Sequence, residues 1–319
     1  MVQSPAYIES IIAVKPSPDL GRDVFANANP LNLQAGVRSL RGSILVSQAI
    51  SAAKATVPES CQVTSSQSSF LNATNAHDKL VYRVERTHDG RRFATRTVRV
   101  EQNGIMVYLA TLSFQNYGGD SSTAAATQES NSVLTYGLPI PDLDGAHPED
   151  VDKDAFQALQ SGMVAKGASI TQISADDKSL DWRPHALDMA DDPSEFRLRG
   201  WVRSPSRLSA SAGPATHLAA FGFLSDEMSV GPALAASPMQ VGRGFKNVAL
   251  LASLTHNVSF HEPGARIDDW VVLERDTAWG AHGRVLTSQR FWDMRTGRLV
   301  MAVSQEALIL LKPKKEAKM

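Results

Sequence analysis

The chain has 319 residues, 43% hydrophobic and 20% charged, enough for one large domain or two ordinary ones and too apolar for wholesale disorder. Lys+Arg is 32 and Asp+Glu is 33, a formal charge of −1, so no global attraction to nucleic acid or an anionic membrane is expected. An anionic ligand would need a local basic patch instead.

The first two dozen residues carry Pro5, Glu9, Pro16 and Pro18 and lack a basic start followed by an apolar run. They read as a strand or a cap, not as a secretory signal. Ile44–Val57 places Leu45, Ala49, Ala52 and Ala53 at helical spacing, and Pro58 ends it. Its alanines suit close contact with a sheet. Cys61, the single cysteine, excludes an internal disulfide and a cysteine zinc cluster. Three strands are expected over Leu80–Gln115, divided at Asp89-Gly90 and Asn103-Gly104, pairs that accept positive φ in tight hairpins. Arg91, Arg92, Arg96 and Arg99 lie along that hairpin, as a solvated face or as a contact for a phosphate.

Gly118–Ser132 holds no large apolar side chain and reads as a linker. Gly137–Asp154 reads as an irregular, solvated connection, and Phe156–Val164 as a short helix. Ala215–Leu224 is a second apolar helix, limited by Pro232. Trp270–Leu311 repeats the three-strand theme, with breaks at Gly280 to Gly283 and Thr296-Gly297. The longest apolar stretches, Leu45–Ala55 and Val248–Leu254, are far too short to span a membrane. Helix then antiparallel strands, twice, predicts an α+β duplication. Its expected bounds are 1–117 for the first repeat, 118–185 for linker and connection, and 186–319 for the second repeat with its tail. That tail ends Ala317-Lys318-Met319, similar to a Ser-Lys-Leu peroxisomal address, which implies an import receptor as a partner.

Several chemistries lack their motifs. No Gly-x-Ser-x-Gly elbow and no phosphate loop occur, and Gly242-Arg243-Gly244 meets Asn247 where a dinucleotide fingerprint needs glycine. His256, His261 and His282 read as satisfied or surface histidines, and no metal or cofactor is implied.

The residues do resemble a family. Arg83–Arg96 followed by Gln102-Asn103-Gly104 looks like the first-repeat hairpin of type II acyl-CoA thioesterases, as does Gln48–Pro58. The second half is similar at Leu224-Ser225-Asp226, at Ala252–His256 with Phe260-His261, and at Val303–Glu306. The resemblance runs from about Ala35 to Leu311. It implies a tandem hotdog, each repeat an antiparallel sheet wrapped around a central helix, that hydrolyses acyl-CoA to a free acid and coenzyme A. It also implies homo-oligomers. The family's Asp, Ser/Thr and Gln fall on Asp226, Ser253 and Gln305, with Ser253 in the first strand of the second sheet. A thioester carbonyl is electrophilic and its thiolate leaves readily, so a base, orienting hydrogen bonds and oxyanion stabilisation suffice. The oxyanion is expected near a helix start, where the dipole favours negative charge. His256, Thr255 and Arg91 are the expected substrate contacts.

The chain departs from the family in places. Ser-Leu-Asp-His-Ser-Met-Trp-Phe-His becomes Ser253-Leu254-Thr255-His256-Asn257-Val258-Ser259-Phe260-His261. The Phe-Gly-Gly-Gln that opens the first helix becomes Arg41-Gly42-Ser43-Ile44. Loss of large aromatics should reshape the acyl groove and points to a specialised acyl substrate. Two alternatives stay open: a hotdog hydratase acting on enoyl or hydroxyacyl thioesters, and a non-catalytic duplicate that binds acyl-CoA.

Overall fold

A computed structural model describes residues 5–32, 39–118, 134–151, 179–242 and 245–313. The Phe156–Val164 helix, the body of the linker and the tail Ala317-Lys318-Met319 lie outside the described residues.

The first repeat runs α1 (Tyr7–Ile12), β1 (Val14–Pro16), β2 (Val24–Asn27), α2 (Gly42–Lys54), β3 (Cys61–Phe70), β4 (Val81–Asp89), β5 (Phe93–Gln102) and β6 (Ile105–Asn116). The second runs β7 (Asp181–Asp188), β8 (Arg197–Arg203), α3 (Pro214–Asp226), β9 (Val248–Phe260), β10 (Val271–Ala281), β11 (Arg284–Asp293) and β12 (Leu299–Leu311). In space the first gives β2-β4-β5-β6-β3, and the second gives the same order reversed, β9-β12-β11-β10-β8. Identical topology in both halves confirms the duplication, and its form is the tandem hotdog.

The two sheets are one. β3 pairs antiparallel with β9, from Ser65↔Ser259 to Ser69↔Thr255, and makes a twelve-stranded sheet. The separate second sheet expected from the sequence is therefore a continuation of the first. β9 is the central joining strand rather than an edge. β3 escapes a sequence reading because Cys-Gln-Val-Thr-Ser-Ser-Gln-Ser-Ser-Phe offers serine where a strand usually shows branched apolar residues. Ser66 and Ser68 are nonetheless buried, and Ser68 Oγ donates to the His256 carbonyl at 2.9 Å across the junction. β7 and β8 begin the second repeat at Asp181, inside the stretch expected to be connection.

Both long helices lie on the concave side of this sheet and against each other. Ser43 to Ile50 are all buried, as are His217 to Ser225. A helix apolar all round must be covered all round. Gly222 makes the close approach: a Cβ there would run into Ile50 Cδ1. The core between helices and sheet includes Ile44, Ile50, Tyr108, Phe114, Phe221 and Phe291. Each fully buried side chain of this size contributes about 1.5–3 kcal/mol. The expected hairpin at Asn103-Gly104 has φ of 53° and 77°, and its counterpart His282-Gly283 has 54° and 75°. Both are two-residue turns with positive φ at each position.

Residues 134–151 are irregular as expected, but not simply solvated. Leu143 is buried with Trp201, Val272 and Trp292 on the outer face of the second repeat. Trp292 Nε1 donates to the Leu138 carbonyl at 3.0 Å, and Trp270 Nε1 to Glu149 at 2.9 Å.

Candidate active site

Asp226, Ser253 and Gln305, far apart in sequence, meet at one point. Gln305 Nε2 donates to Asp226 Oδ1 at 2.9 Å and to Ser253 Oγ at 2.8 Å. Each element delivers its side chain for a local reason. Asp226 is the last residue of α3, which runs two residues beyond the Leu224 end expected from the sequence. Gln305 faces inward from β12 and is buried. Ser253 needs a bulge. Along β9, Phe260, Val258 and His256 face inward by strand alternation, which would turn Ser253 outward. Register shifts between Thr255↔Glu306 and Ser253↔Ala307, skipping Leu254, so Ser253 shares the inner face with Ala307 and Gln305. Bulges re-aim a side chain in this way.

The amino end of α2 completes the site from the other repeat. A Cβ on Gly42 would lie 2.5 Å from Asp226 Oδ2 and 2.7 Å from Phe70 Cε1. Only glycine lets the first turn of α2 come this close. The two helices run oppositely, so the positive end of α2 meets the negative end of α3 at Asp226. The negative end of α3 is capped in turn: Gln289 Nε2 donates to the Ser225 carbonyl at 2.7 Å, and Arg275 Nη2 to the Glu227 carbonyl at 2.8 Å.

Asp226 keeps partial solvent access but is densely surrounded. Burial is the chief cause that raises its carboxyl to about 7. The Gln305 hydrogen bond opposes this, the Glu227 carboxylate adds to it, and the Ser43 backbone opposes it. The result is a carboxylate poised near neutrality, the range in which a general base works best. Beside it, Glu227 accepts from Ser43 Oγ at 2.5 Å and from Arg41 Nη1 at 3.0 Å.

His256 pairs with Gln305 across β9 and β12 and is fully buried. Burial lowers it to about 4, so it is neutral and uncharged at the site's edge. Thr255 pairs with Glu306, one step out of phase with Gln305, so its side chain lies on the other face of the sheet. Arg91 sits exposed in the β4–β5 connection, next to Arg92, whose carbonyl accepts from Asn116. Asn116 pairs with Cys61 at one end of β3, whereas Ser69, near the other end, pairs with Thr255. That separation along the strand is roughly 25–30 Å. The structure thus gathers His256 with Asp226, Ser253 and Gln305, and leaves Thr255 and Arg91 outside the cluster. Arg41, Gly42, Ser43, Glu227, Arg275 and Gln289 went unassigned by sequence. The retained glycine of Arg41-Gly42-Ser43-Ile44 was the one available signal.

The duplication supplies an internal control. Lys54 closes the 13-residue α2 as Asp226 closes the 13-residue α3. On β3 the register shift between Val63 and Ser65 reproduces the β9 bulge, so Val63 stands where Ser253 stands. Leu112, paired with Ser66, stands where Gln305 pairs with His256. One copy of the frame holds carboxylate, hydroxyl and carboxamide; the other holds Lys54, Val63 and Leu112.

The class to which this tandem hotdog belongs, the thioester hydrolases, is given by its relatives. The acyl-CoA thioesterase N-terminal domain matches residues 35–115 and the acyl-CoA thioesterase C-terminal domain matches 148–309. Acyl-CoA thioesterase II TesB2 from Mycobacterium marinum shares the fold with TM-score 0.70 at 22% identity, covering 96% of this chain and 98% of that one. Acyl-coenzyme A thioesterase 8 of Mus musculus is 26% identical over 286 residues, 86% of this chain and 81% of its own. Peroxisomal acyl-coenzyme A thioester hydrolase 1 of Saccharomyces cerevisiae is 22% identical over 322 residues, 86% of this chain and 87% of its own. The chain belongs to the type II acyl-CoA thioesterase family. It is an acyl-CoA thioester hydrolase.

Proposed function

We propose that Asp226 is the general base of this hydrolase and that Ser253 and Gln305 orient the attacking water. Asp226 takes a proton from water, and the hydroxide attacks the thioester carbonyl carbon. The oxyanion forms beside the amino end of α2, whose dipole and backbone N–H groups favour negative charge. The tetrahedral intermediate collapses with cleavage of the carbon–sulfur bond. Protonated Asp226 returns its proton to the departing coenzyme thiolate, leaving a free carboxylic acid. Base catalysis of this kind contributes typically ~10²–10⁴ in rate. The observation that carries the reading is the single Gln305 amide bonded to both Asp226 and Ser253. Both N–H groups of that amide are thereby used, and Ser253 keeps its own O–H to donate to water or substrate.

The test is thiol release from acyl-CoA esters of graded chain length, with Asp226→Asn in parallel. Release that persists in the variant removes Asp226 as the base. Absence of release at every chain length, with binding retained, would make the protein an acyl-CoA-binding duplicate.

The substrate is a specialised acyl group. Supporting this, Val258 faces the core where the family has a large Met. The protein works in the peroxisome: the yeast relative is named peroxisomal, and Ala317-Lys318-Met319 has the form of an address. A reporter carrying that tail should become punctate, and a diffuse signal would reject the assignment. It forms homo-oligomers, since β1 and β7 are the outermost strands of the sheet among the described residues. Light scattering at the monomer mass would reject that.

A further inference from the structure

We propose that Glu227 is a positioning residue for catalysis, an anionic clasp locked across the repeat junction by Arg41 and Ser43, which shifts the lower pH limit of activity upward. The proposal rests on Asp226 being the base.

Two departures from the family's Phe-Gly-Gly-Gln share one explanation. Arg41 and Ser43 flank Gly42 on the first turn of α2, and both bind the Glu227 carboxylate: Ser43 Oγ donates to Oε1 at 2.5 Å and Arg41 Nη1 to Oε2 at 3.0 Å. Arg41 is further fixed by its guanidinium, which lies 5.2 Å from the Phe223 ring centre on α3. Two of the three residues that changed now hold a second, buried carboxylate directly after the base. Glu227 is only 7% exposed, so its charge acts through protein rather than water. Its main chain is fixed as well, by Arg275 Nη2 on its carbonyl. The clasp therefore ties the last turn of α3, which carries Asp226, to the first turn of α2, which carries the backbone groups facing the reaction.

Among the described residues, the like charge that acts on Asp226 is Glu227. From α2 come Arg41 and the Ser43 backbone; from β12, neutral Gln305; from β9, Ser253 and His256, which burial keeps neutral. Tyr108 on β6 is raised above its ordinary value by burial and is also neutral. Arg275 on β10 donates to the Glu227 and Met228 carbonyls just past α3, and its charge acts on Glu227. A like charge beside a carboxylate raises its proton affinity, which is the direction in which Glu227 acts on Asp226. Arg41 and the Ser43 hydroxyl moderate that effect without abolishing it.

Two substitutions act in opposite directions, a signature that loss of structure does not produce. Glu227→Gln removes the like charge while keeping an acceptor for Ser43. The acid limb of kcat/KM should move to lower pH, and kcat on the plateau should fall as the clasp loses its ion pair with Arg41. Ser43→Ala removes a donor from Glu227 and leaves its charge less screened. Its acid limb should move to higher pH. Both are read as full pH profiles on the same acyl-CoA ester, with thermal unfolding to establish that each variant folds. Limbs unmoved, or moved in the same direction, would overturn the proposal. Should Glu227→Gln fail to fold, an unmoved limb in Ser43→Ala overturns it alone. Asp226→Asn in the same assay separates the two readings: an active Asn variant removes the base itself, whereas an inactive one with unmoved limbs in the other two removes only the clasp.

Discussion

Substituting Gly42 by alanine tests the geometry most directly. The added Cβ would meet Asp226 Oδ2 at 2.5 Å and Phe70 Cε1 at 2.7 Å, where ordinary contact begins at 3.4 Å. The carboxylate oxygen must therefore retreat by roughly 0.9 Å, a displacement that typically costs ~10² in rate at a reacting centre. The ring of Phe70 must also turn, away from its tilted contact with Tyr108 at 5.2 Å between ring centres. Overpacking of this sort costs typically ~1–3 kcal/mol of stability. Alanine itself suits the first turn of a helix, so the backbone gains rather than loses. The expected outcome is a folded protein, a few degrees less stable, with kcat lowered about a hundredfold and KM much less affected. The assay is steady-state thiol release beside a thermal melt. Wild-type kcat in a folded Gly42→Ala protein would mean that Asp226 can move ~1 Å without consequence, and the base assignment would fail with it.

Other outcomes follow from the same contacts. With the carboxyl at about 7, kcat/KM of the wild type should fall tenfold per unit below that pH and level above it; a flat profile from pH 5 to 8 would exclude a base of this kind. Ser253→Ala removes one hydrogen bond to the water and should lower kcat ~10–100-fold with the acid limb nearly in place. Gln305→Leu removes the strongest influence that lowers the Asp226 carboxyl, so its limb should move to higher pH as well as its kcat falling; an unmoved limb would break the link between the two side chains. Asp226→Asn should change stability with a definite sign. Because the native carboxyl is raised from 3.8 to about 7, the folded state holds a proton that the unfolded state releases, and this stabilisation is lost as pH rises through that window. The asparagine variant should thus gain on the wild type between pH 4 and 8, by roughly 4 kcal/mol at most, and a difference in melting temperature that is constant with pH would contradict it.

The parts legible in sequence were those with strong local signals. Alternation and turn pairs gave β4, β5 and β6, and Asn103-Gly104 turns as its residues demand. Apolar spacing gave both helices. β3 was not legible, because its inward positions include Ser66 and Ser68, whose value lies in the junction with β9 rather than in hydrophobicity. The same holds for the site. Asp226, Ser253 and Gln305 are three polar residues on separate elements, and no periodicity links them. They were found by resemblance, and their meeting depends on a bulge at Leu254 that local sequence does not announce. Thr255 illustrates the cost of missing it: adjacency in sequence puts it beside Ser253, while strand alternation turns it to the opposite face.

Only one repeat bears the polar cluster, yet both repeats bring residues to it. The frame that would hold a second site survives in the first repeat, bulge included, yet Lys54, Val63 and Leu112 occupy it. On the proposed mechanism the first repeat contributes by other means. Its α2 brings Gly42 against Asp226, its Ser43 and Arg41 hold Glu227, and its β3 carries the sheet through to β9. A backbone contribution from a helix end needs only close approach, which glycine supplies. Side chains that move protons need three identities at once. On the proposed mechanism, one half keeps the frame without reactive side chains, while the other draws on the first half's helix terminus.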